Sequence, residues 1–237
     1  MRVPWRIRIA TAVLRGFLRD PAQALRSVGS VNIEMGSVYR FKLHIHGKDM
    51  LRDFMEAAAE AGVRPFLTWG TLLGFMRQGG FLPHDYDIDT AILADDYPRK
   101  DALKMAMIAR GYRVRHDVPF AFSFETRDRL LHLDVDVLYP FKDDLVSSMV
   151  SETTGRISAH RFPSQAYRSL ERRMFPGQIP VWVPKDPERA LEAMYGDWRV
   201  PVKDYSYRTG PRNTIPDPEK LGIGHALPPH RKEENAE

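Results

Sequence analysis

The segment Leu131-His132-Leu133-Asp134-Val135-Asp136-Val137 alternates apolar and polar residues without a break. Side chains of a strand point alternately to its two faces, so residues two apart share a face. Residues 131, 133, 135 and 137 therefore form an apolar back, and His132, Asp134 and Asp136 form a polar front. The back demands a hydrophobic core, and the front demands something that offsets its charge. A fold containing this strand needs a sheet with one buried side and one chemically active side.

A second strand is predicted at Ile88–Leu93. Asp87 and Asp89 share a face at its start, and Ile88 points between them into the core. Two carboxylates so close repel each other unless a cation neutralises them. Hard oxygen ligands favour Mg2+ or Mn2+. Side-by-side pairing of the two strands brings a third carboxylate, Asp134 or Asp136, to the same cation. Clamps of this type neutralise charge on a phosphoryl group during in-line displacement.

The rest of the chain supplies elements around these strands. Val31 to Ile45 alternates roughly (Val38, Phe41, Leu43, Ile45) and reads as including a short strand. Residues 47–62 read as a helix, with Met50, Leu51, Phe54 and Ala58 on one face and Gly62 ending it. Pro65–Trp69 is a short apolar strand, Gly70-Thr71 breaks it, and Leu72–Arg77 resumes as a helix closed by Gly79-Gly80. Pro98–Arg110 is a further helix. Phe120–Glu125 and Leu130–Leu138 form a hairpin. Residues 139–163 carry weak signals, whereas Ser164–Met174 and Pro187–Tyr195 read as helices. From Pro201 the chain is rich in Pro and charge, and its last ~20 residues read as a tail. The expected class is α/β (α+β): a small mixed sheet flanked by helices, with an N-terminal amphipathic helix and C-terminal helices. Three regions are expected: 1–30, a basic helix; 31–200, the catalytic domain; and 201–237, an extension.

Composition bounds the chemistry. The 237 residues contain no Cys, which removes disulfides, thiolate zinc sites and Cys nucleophiles, and fits a reducing compartment. The net charge of +4 is unevenly placed. Residues 1–30 hold six Arg and one acid, Asp20, and the remainder holds 29 basic and 30 acidic side chains. A nucleic-acid binder would be basic throughout, so no nucleic-acid partner is expected. No apolar run reaches the roughly 20 residues needed to span a bilayer. Trp5, Ile9, Val13 and Phe17 share a helix face opposite arginines, which suits a helix lying on an anionic membrane through residues 1–27. A helix docked on the body is the alternative. The expected location is the cytoplasm, or the inner face of the membrane as a peripheral protein.

Several side chains near the strands are candidate substrate contacts. Backbone N–H groups at Gly70-Thr71 can hold a phosphate; otherwise Thr71 is a plain N-cap. Arg77 and Lys185 are candidate phosphate contacts, with surface cations as the alternative. His84 and His132 could touch the metal or a phosphate, or could simply be polar residues at strand ends. The proton acceptor, or general base, is one of Asp85, Asp134 and Asp136.

The segment 69–92 resembles the LicD/fukutin-type phosphotransferases, a branch of the nucleotidyltransferase superfamily. The matching pattern is Gly70-Thr71-Leu72-Leu73-Gly74, Arg77, then Pro83-His84-Asp85-Tyr86-Asp87-Ile88-Asp89. His84 stands where the family usually has Trp, and Tyr86 where it often has a further Asp. Asp136-Val137-Leu138-Tyr139-Pro140 is similar to the family's Asp-Ile-Phe-Pro strand, and Tyr195-Gly196-Asp197-Trp198 to its closing Tyr-Gly-Asp-Tyr element. The resemblance implies a nucleotidyltransferase-like fold and a metal held by Asp87, Asp89 and Asp136. It also implies transfer of a phosphocholine, ribitol phosphate or glycerol phosphate group from a CDP-linked donor. The implied acceptor is a sugar hydroxyl of a surface glycan, such as lipopolysaccharide or capsule, or of a lipid-linked precursor. Transfer of NMP to an acceptor, and a non-catalytic membrane-associated binding module, are the alternatives.

Overall fold

The computed structural model describes residues 35–150, 157–203, 205 and 210–218. The expected helix of residues 1–30, with its membrane contact, and the last residues of the C-terminal extension lie outside the described residues.

The first described element is the helix α1 (Met35–Glu60). The strand expected within residues 31–45 is not formed over the described part. Leu43, Gly47, Met50, Leu51 and Phe54 are buried at helical spacing, while Phe41 and Ile45 point to solvent. Gly47 is needed on that face. A Cβ there would lie 2.8 Å from Leu43 Cδ1 and 3.1 Å from the Phe81 ring. The helix ends as expected at Gly62, which takes a left-handed conformation (φ +70°).

A two-stranded start follows. Strand β1 (Phe66–Leu67) leads directly into helix α2 (Trp69–Gln78). The helix begins earlier than its apolar residues suggest, with Thr68 rather than Thr71 at the N-cap. Strand β2 (Ile88–Leu93) comes next, then a 3-10 turn (Ala94–Arg99) and helix α3 (Lys100–Ala109). Strands β3 (Arg113–Val118), β4 (Ala121–Glu125) and β5 (His132–Phe141) follow, with β4 antiparallel to each of the other two.

Beyond β5 the chain departs from the sequence expectation. The weakly patterned residues 139–163 hold β6 (Asp144–Val150) and β7 (Ile157–Phe162). The helix expected at Ser164–Met174 is a single turn, α4 (Ser164–Tyr167), followed by β8 (Leu170–Phe175) and β9 (Ile179–Pro184). Helix α5 (Pro187–Tyr195) forms as expected, capped by the Asp186 carboxylate, which accepts from the Arg189 N–H at 3.1 Å. The extension is not wholly unstructured. Its residues Thr214–Ile215 form β10, paired with β7.

The sheet is mixed, as expected, and has ten strands among the described residues. Strand β5 organises it. Its first half lies between β2, parallel, and β4, antiparallel; its last residues, Tyr139–Phe141, pair with β6. Strand β1 joins the other side of β2 and continues to β9 and β8. One large core packs the helices against the sheet, with Phe54, Phe66, Phe122, Phe124, Leu133, Val135 and Leu191 fully buried.

Candidate functional site

The parallel pairing of β2 with β5 sets Ile88 opposite Leu133, Asp89 opposite Asp134, and Ala91 opposite Asp136. Opposed residues lie on the same face of a sheet. The apolar partners thus enter the core together, and the carboxylates gather on the front, as the sequence pattern requires. The chain just before β2 adds Asp85 and Asp87 to this front, and the start of β5 adds His132.

Helix α2 closes the site from one side through a reciprocal pair of hydrogen bonds. The Asp89 N–H donates to Thr71 Oγ1 at 2.8 Å, and the Thr71 N–H donates to Asp89 Oδ2 at 3.3 Å. Thr71 therefore ties α2 to β2 rather than capping the helix. Gly70 lies against the carboxylates: a Cβ there would sit 3.1 Å from both Asp85 Oδ2 and Asp89 Oδ2. Close approach of the backbone to these acids requires the missing side chain. Trp69, beside it, holds a left-handed φ of +40°. Such a conformation is costly for a bulky residue and needs support from its surroundings. That support is visible. The indole N–H donates to Asp136 Oδ2 at 2.8 Å, and the ring packs edge-on against His160 and Phe162.

The carboxylates stand in mutual repulsion. Burial pushes Asp85 up to about 7, and the Asp87 charge adds to the shift. Burial likewise pushes Asp136 up to about 7, opposed by the Trp69 hydrogen bond and reinforced by Asp134. Asp89 lies among the other four; burial and the charges of Asp87, Asp85, Asp134 and Asp136 raise it well above the usual carboxylate range. Asp134 is raised by burial, against the charge of His132. Burial lowers His132, but a hydrogen bond with Asp87 and the Asp134 and Asp87 charges outweigh it and leave the imidazole raised overall.

His132 Nε2 lies 3.4 Å from Asp87 Oδ2 and 3.9 Å from Asp134 Oδ2. One ligand atom from each of Asp87, His132 and Asp134 falls within 4.8 Å of the others. Two carboxylates and an imidazole form a donor set that suits Mn2+ or Mg2+ with His assistance. Asp85 Oδ2 is buried with no hydrogen-bond partner among the described residues. A buried, unpartnered carboxylate oxygen is costly in isolation and fits a site completed by a cation. The residues present therefore fit a divalent ion.

The remaining expected contacts divide. Gly70, Thr71, Asp85, Asp87, Asp89, His132, Asp134 and Asp136 come together. Arg77 does not reach this front with its guanidinium: it donates through Nε to the Trp198 carbonyl and through Nη2 to the Val200 carbonyl at 3.3 Å. His84 is exposed, one residue after Pro83, whose carbonyl lies 3.4 Å from His44 Nε2. Lys185 is exposed just beyond β9. Because β9 runs parallel to β1, Lys185 emerges at the sheet end where Trp69 begins α2.

Two neighbours were not assigned by sequence reasoning. Trp69 read as the end of a short apolar strand, and its indole N–H serves Asp136. Tyr195, in α5, is half-buried and close enough to feel the charges of Asp89 and Asp85, and loss of solvent and those charges hold its hydroxyl protonated. The Tyr-Gly-Asp element that carries it was the available signal.

Comparison with known proteins bears on this site. The family model described as LicD/FKTN/FKRP, nucleotidyltransferase domain, matches residues 62–186. The ribitol-5-phosphate transferases FKTN of Mus musculus and Homo sapiens are each 27% identical over 176 residues, which is 72% of this chain and 37% of theirs. An uncharacterized protein of Rickettsia typhi is 24% identical over 155 residues, 63% of this chain and 45% of its own. The chain thus spans less than half the length of these relatives. Among solved structures, the crystal structure of ANT(2")-Ia in complex with adenylyl-2"-tobramycin aligns with a TM-score of 0.42 at 17% identity, over 68% of this chain and 81% of that one.

Proposed function

Because the chain belongs to the LicD/FKTN/FKRP nucleotidyltransferase-domain family, matched over residues 62–186, we propose that it transfers a phosphate-linked group from a nucleotide-activated donor to a glycan hydroxyl. The donor class is CDP-linked, carrying a ribitol phosphate, glycerol phosphate or phosphocholine group, and the acceptor is a surface glycan or its lipid-linked precursor. The observation that carries this reading is the convergence of five carboxylates and His132 on one sheet face, against the backbone of Gly70.

Asp87, His132 and Asp134 would hold a divalent cation, rather than the Asp87, Asp89 and Asp136 set that the resemblance implies, with Asp89 and Asp136 adding negative charge on the same face. The ion supplies charge neutralisation at the donor diphosphate. The chain's own residues do the rest. Thr71 fixes the Asp89 carboxylate, and Trp69 fixes that of Asp136. The acceptor hydroxyl attacks phosphorus in line, and CMP leaves. The hydroxyl proton passes to a carboxylate of the front. Asp134 is the one that an incoming hydroxyl meets, through the carboxylate oxygen that would not hold the cation, because its side chain is 40% exposed, whereas Asp136 is buried and Asp85 Oδ2 has no solvent contact.

The test is the product. The purified chain is incubated with CDP-ribitol, CDP-glycerol or CDP-choline, Mn2+ and a glycan acceptor, and the acceptor is weighed by mass spectrometry. A gain equal to the phospho-alditol or phosphocholine group, lost in Asp89→Asn, is expected. A gain equal to NMP would make the chain a nucleotidyltransferase. No gain with any donor and no Mn2+ binding would leave a non-catalytic binding module.

A further inference from the structure

A diphosphate donor approaching five carboxylates needs a cationic side chain as well as a metal, or repulsion from the uncompensated acids opposes it. The sequence offers Arg77 and Lys185. Arg77 is committed to the carbonyls of Trp198 and Val200, and Lys185 emerges beyond β9, which β1 separates from β2. The other side of the front carries a further cation.

There the sheet continues from β5 to β4 and β3, and the register draws two rows across it. Arg113 opposes Glu125, which opposes His132. His116 opposes Ser123, which opposes Asp134, which opposes Asp89. Between these rows the pairing of β3 with β4 slips, and Arg115 is the extra residue, without a partner on β4. A bulge on an edge strand re-aims a side chain that the regular pleat would send elsewhere. Arg115 is exposed, and its charge reaches both His132 and Asp134.

The acids of this edge are already used. Asp117 pairs with Lys100 at 2.8 Å and Lys104 at 2.6 Å, and Glu125 pairs with Arg129 at 3.3 Å. Arg115 has no ion pair with a described residue. Ser123, on the row between His116 and Asp134, is 2% exposed, and its Oγ has no hydrogen-bond partner among the described residues. The exposed guanidinium of Arg115, next to the carboxylate front, rather than this closed-off hydroxyl, has the chemistry of a phosphate contact: a planar fork for two oxygens.

We propose that Arg115, held out by the β3 bulge, receives the diphosphate of the donor at a subsite beside the carboxylates. The proposal rests on the transfer reading above and deepens it by naming the donor-side cation. Acceptor phosphate is the other source of the same chemistry, and the experiment separates the two.

Binding of CDP, inorganic pyrophosphate and glycerol 3-phosphate is measured by titration calorimetry with Mn2+ present, on the full chain and on Arg115→Ala and Arg115→Lys. Loss of a charge-assisted bidentate contact weakens CDP and pyrophosphate between about ten- and a hundred-fold in Arg115→Ala. Arg115→Lys recovers part of this, since it keeps charge but not the fork. Unchanged Tm and unchanged Mn2+ affinity, read from the free-ion EPR signal, exclude a general structural cause. Equal CDP and pyrophosphate binding by wild type and Arg115→Ala overturns the assignment while leaving the transfer reading intact. Weakened glycerol 3-phosphate with unchanged CDP also overturns it, in favour of the acceptor. Failure of the wild type to bind either CDP or pyrophosphate removes the transfer reading and this assignment with it.

Discussion

Asp136 offers the sharpest physical test of the site. Its carboxyl is 8% exposed, opposes Ala91 on β2 and Ala121 on β4, and accepts the Trp69 indole N–H. Burial raises it from 3.8 to about 7. The folded state thus holds this proton more tightly than the unfolded chain does. The stability it contributes is fully present below the unfolded value near pH 4 and is lost as pH rises to about 7. About three units correspond to on the order of 4 kcal/mol. Asp136→Asn cannot ionise and keeps a carbonyl for Trp69, so it escapes this loss. The assay is thermal unfolding of both proteins, in chelator, between pH 4 and 7.5. Buried His160, lowered to about 4, acts with the opposite sign but is present in both proteins and cancels in their difference. The Tm of Asp136→Asn relative to wild type is expected to climb by roughly 8–16 °C across this range, at about 2–4 °C per kcal/mol. A difference that stays constant with pH refutes the claim that Asp136 is a desolvated acid held by the fold.

Two glycines of α2 separate folding from function. In Gly74→Ala the new Cβ would lie 2.5 Å from the Gly80 carbonyl and 2.8 Å from the Leu82 nitrogen, which are backbone atoms; a loss of about 1–3 kcal/mol or more is expected in denaturant titration. Gly70→Ala instead presses on the Asp85 and Asp89 carboxylates, so unfolding should change little while Mn2+ binding weakens, as read by EPR. His132→Ala removes a nitrogen ligand from the group with Asp87 and Asp134, and should cost more affinity for Mn2+ than for Mg2+ in competition titrations.

The carboxylate front was legible because β2 and β5 carry two-faced sequences that only a half-buried strand explains. Their side-by-side pairing, the mixed fold and helix α5 followed from the same kind of pattern, whereas the parallel direction of that pairing did not. What stayed hidden lacks such a pattern. Strand β3 is an edge with a single partly buried apolar residue, Val114, inside it, so it shows no buried period. Strand β6 buries Ser147 and Ser148 in succession, which reads as a loop. The start of α1 misled because Phe41 and Ile45 are apolar yet exposed, while Gly47, which carries no hydrophobic signal, faces the core. At the site, the acids could be named from their spacing. Trp69, Tyr195 and Arg115 could not, because an indole bond across 67 residues, a half-buried phenol near the acids and a bulge register exist only once the sheet is assembled.

The position of β5 also sets which parts of the site open first. Strands paired on both sides exchange their amide hydrogens only on near-global unfolding, whereas edge strands open locally at lower free energy. Asp134 and Asp136 sit on β5, between β2 and β4, and Asp89 on β2, between β5 and β1. Arg115 sits on β3, the free edge. The molecule is thereby graded: a slow-exchanging floor keeps the acids in register, while a fast-exchanging rim beside them can fray and re-form as ligands of different size come and go.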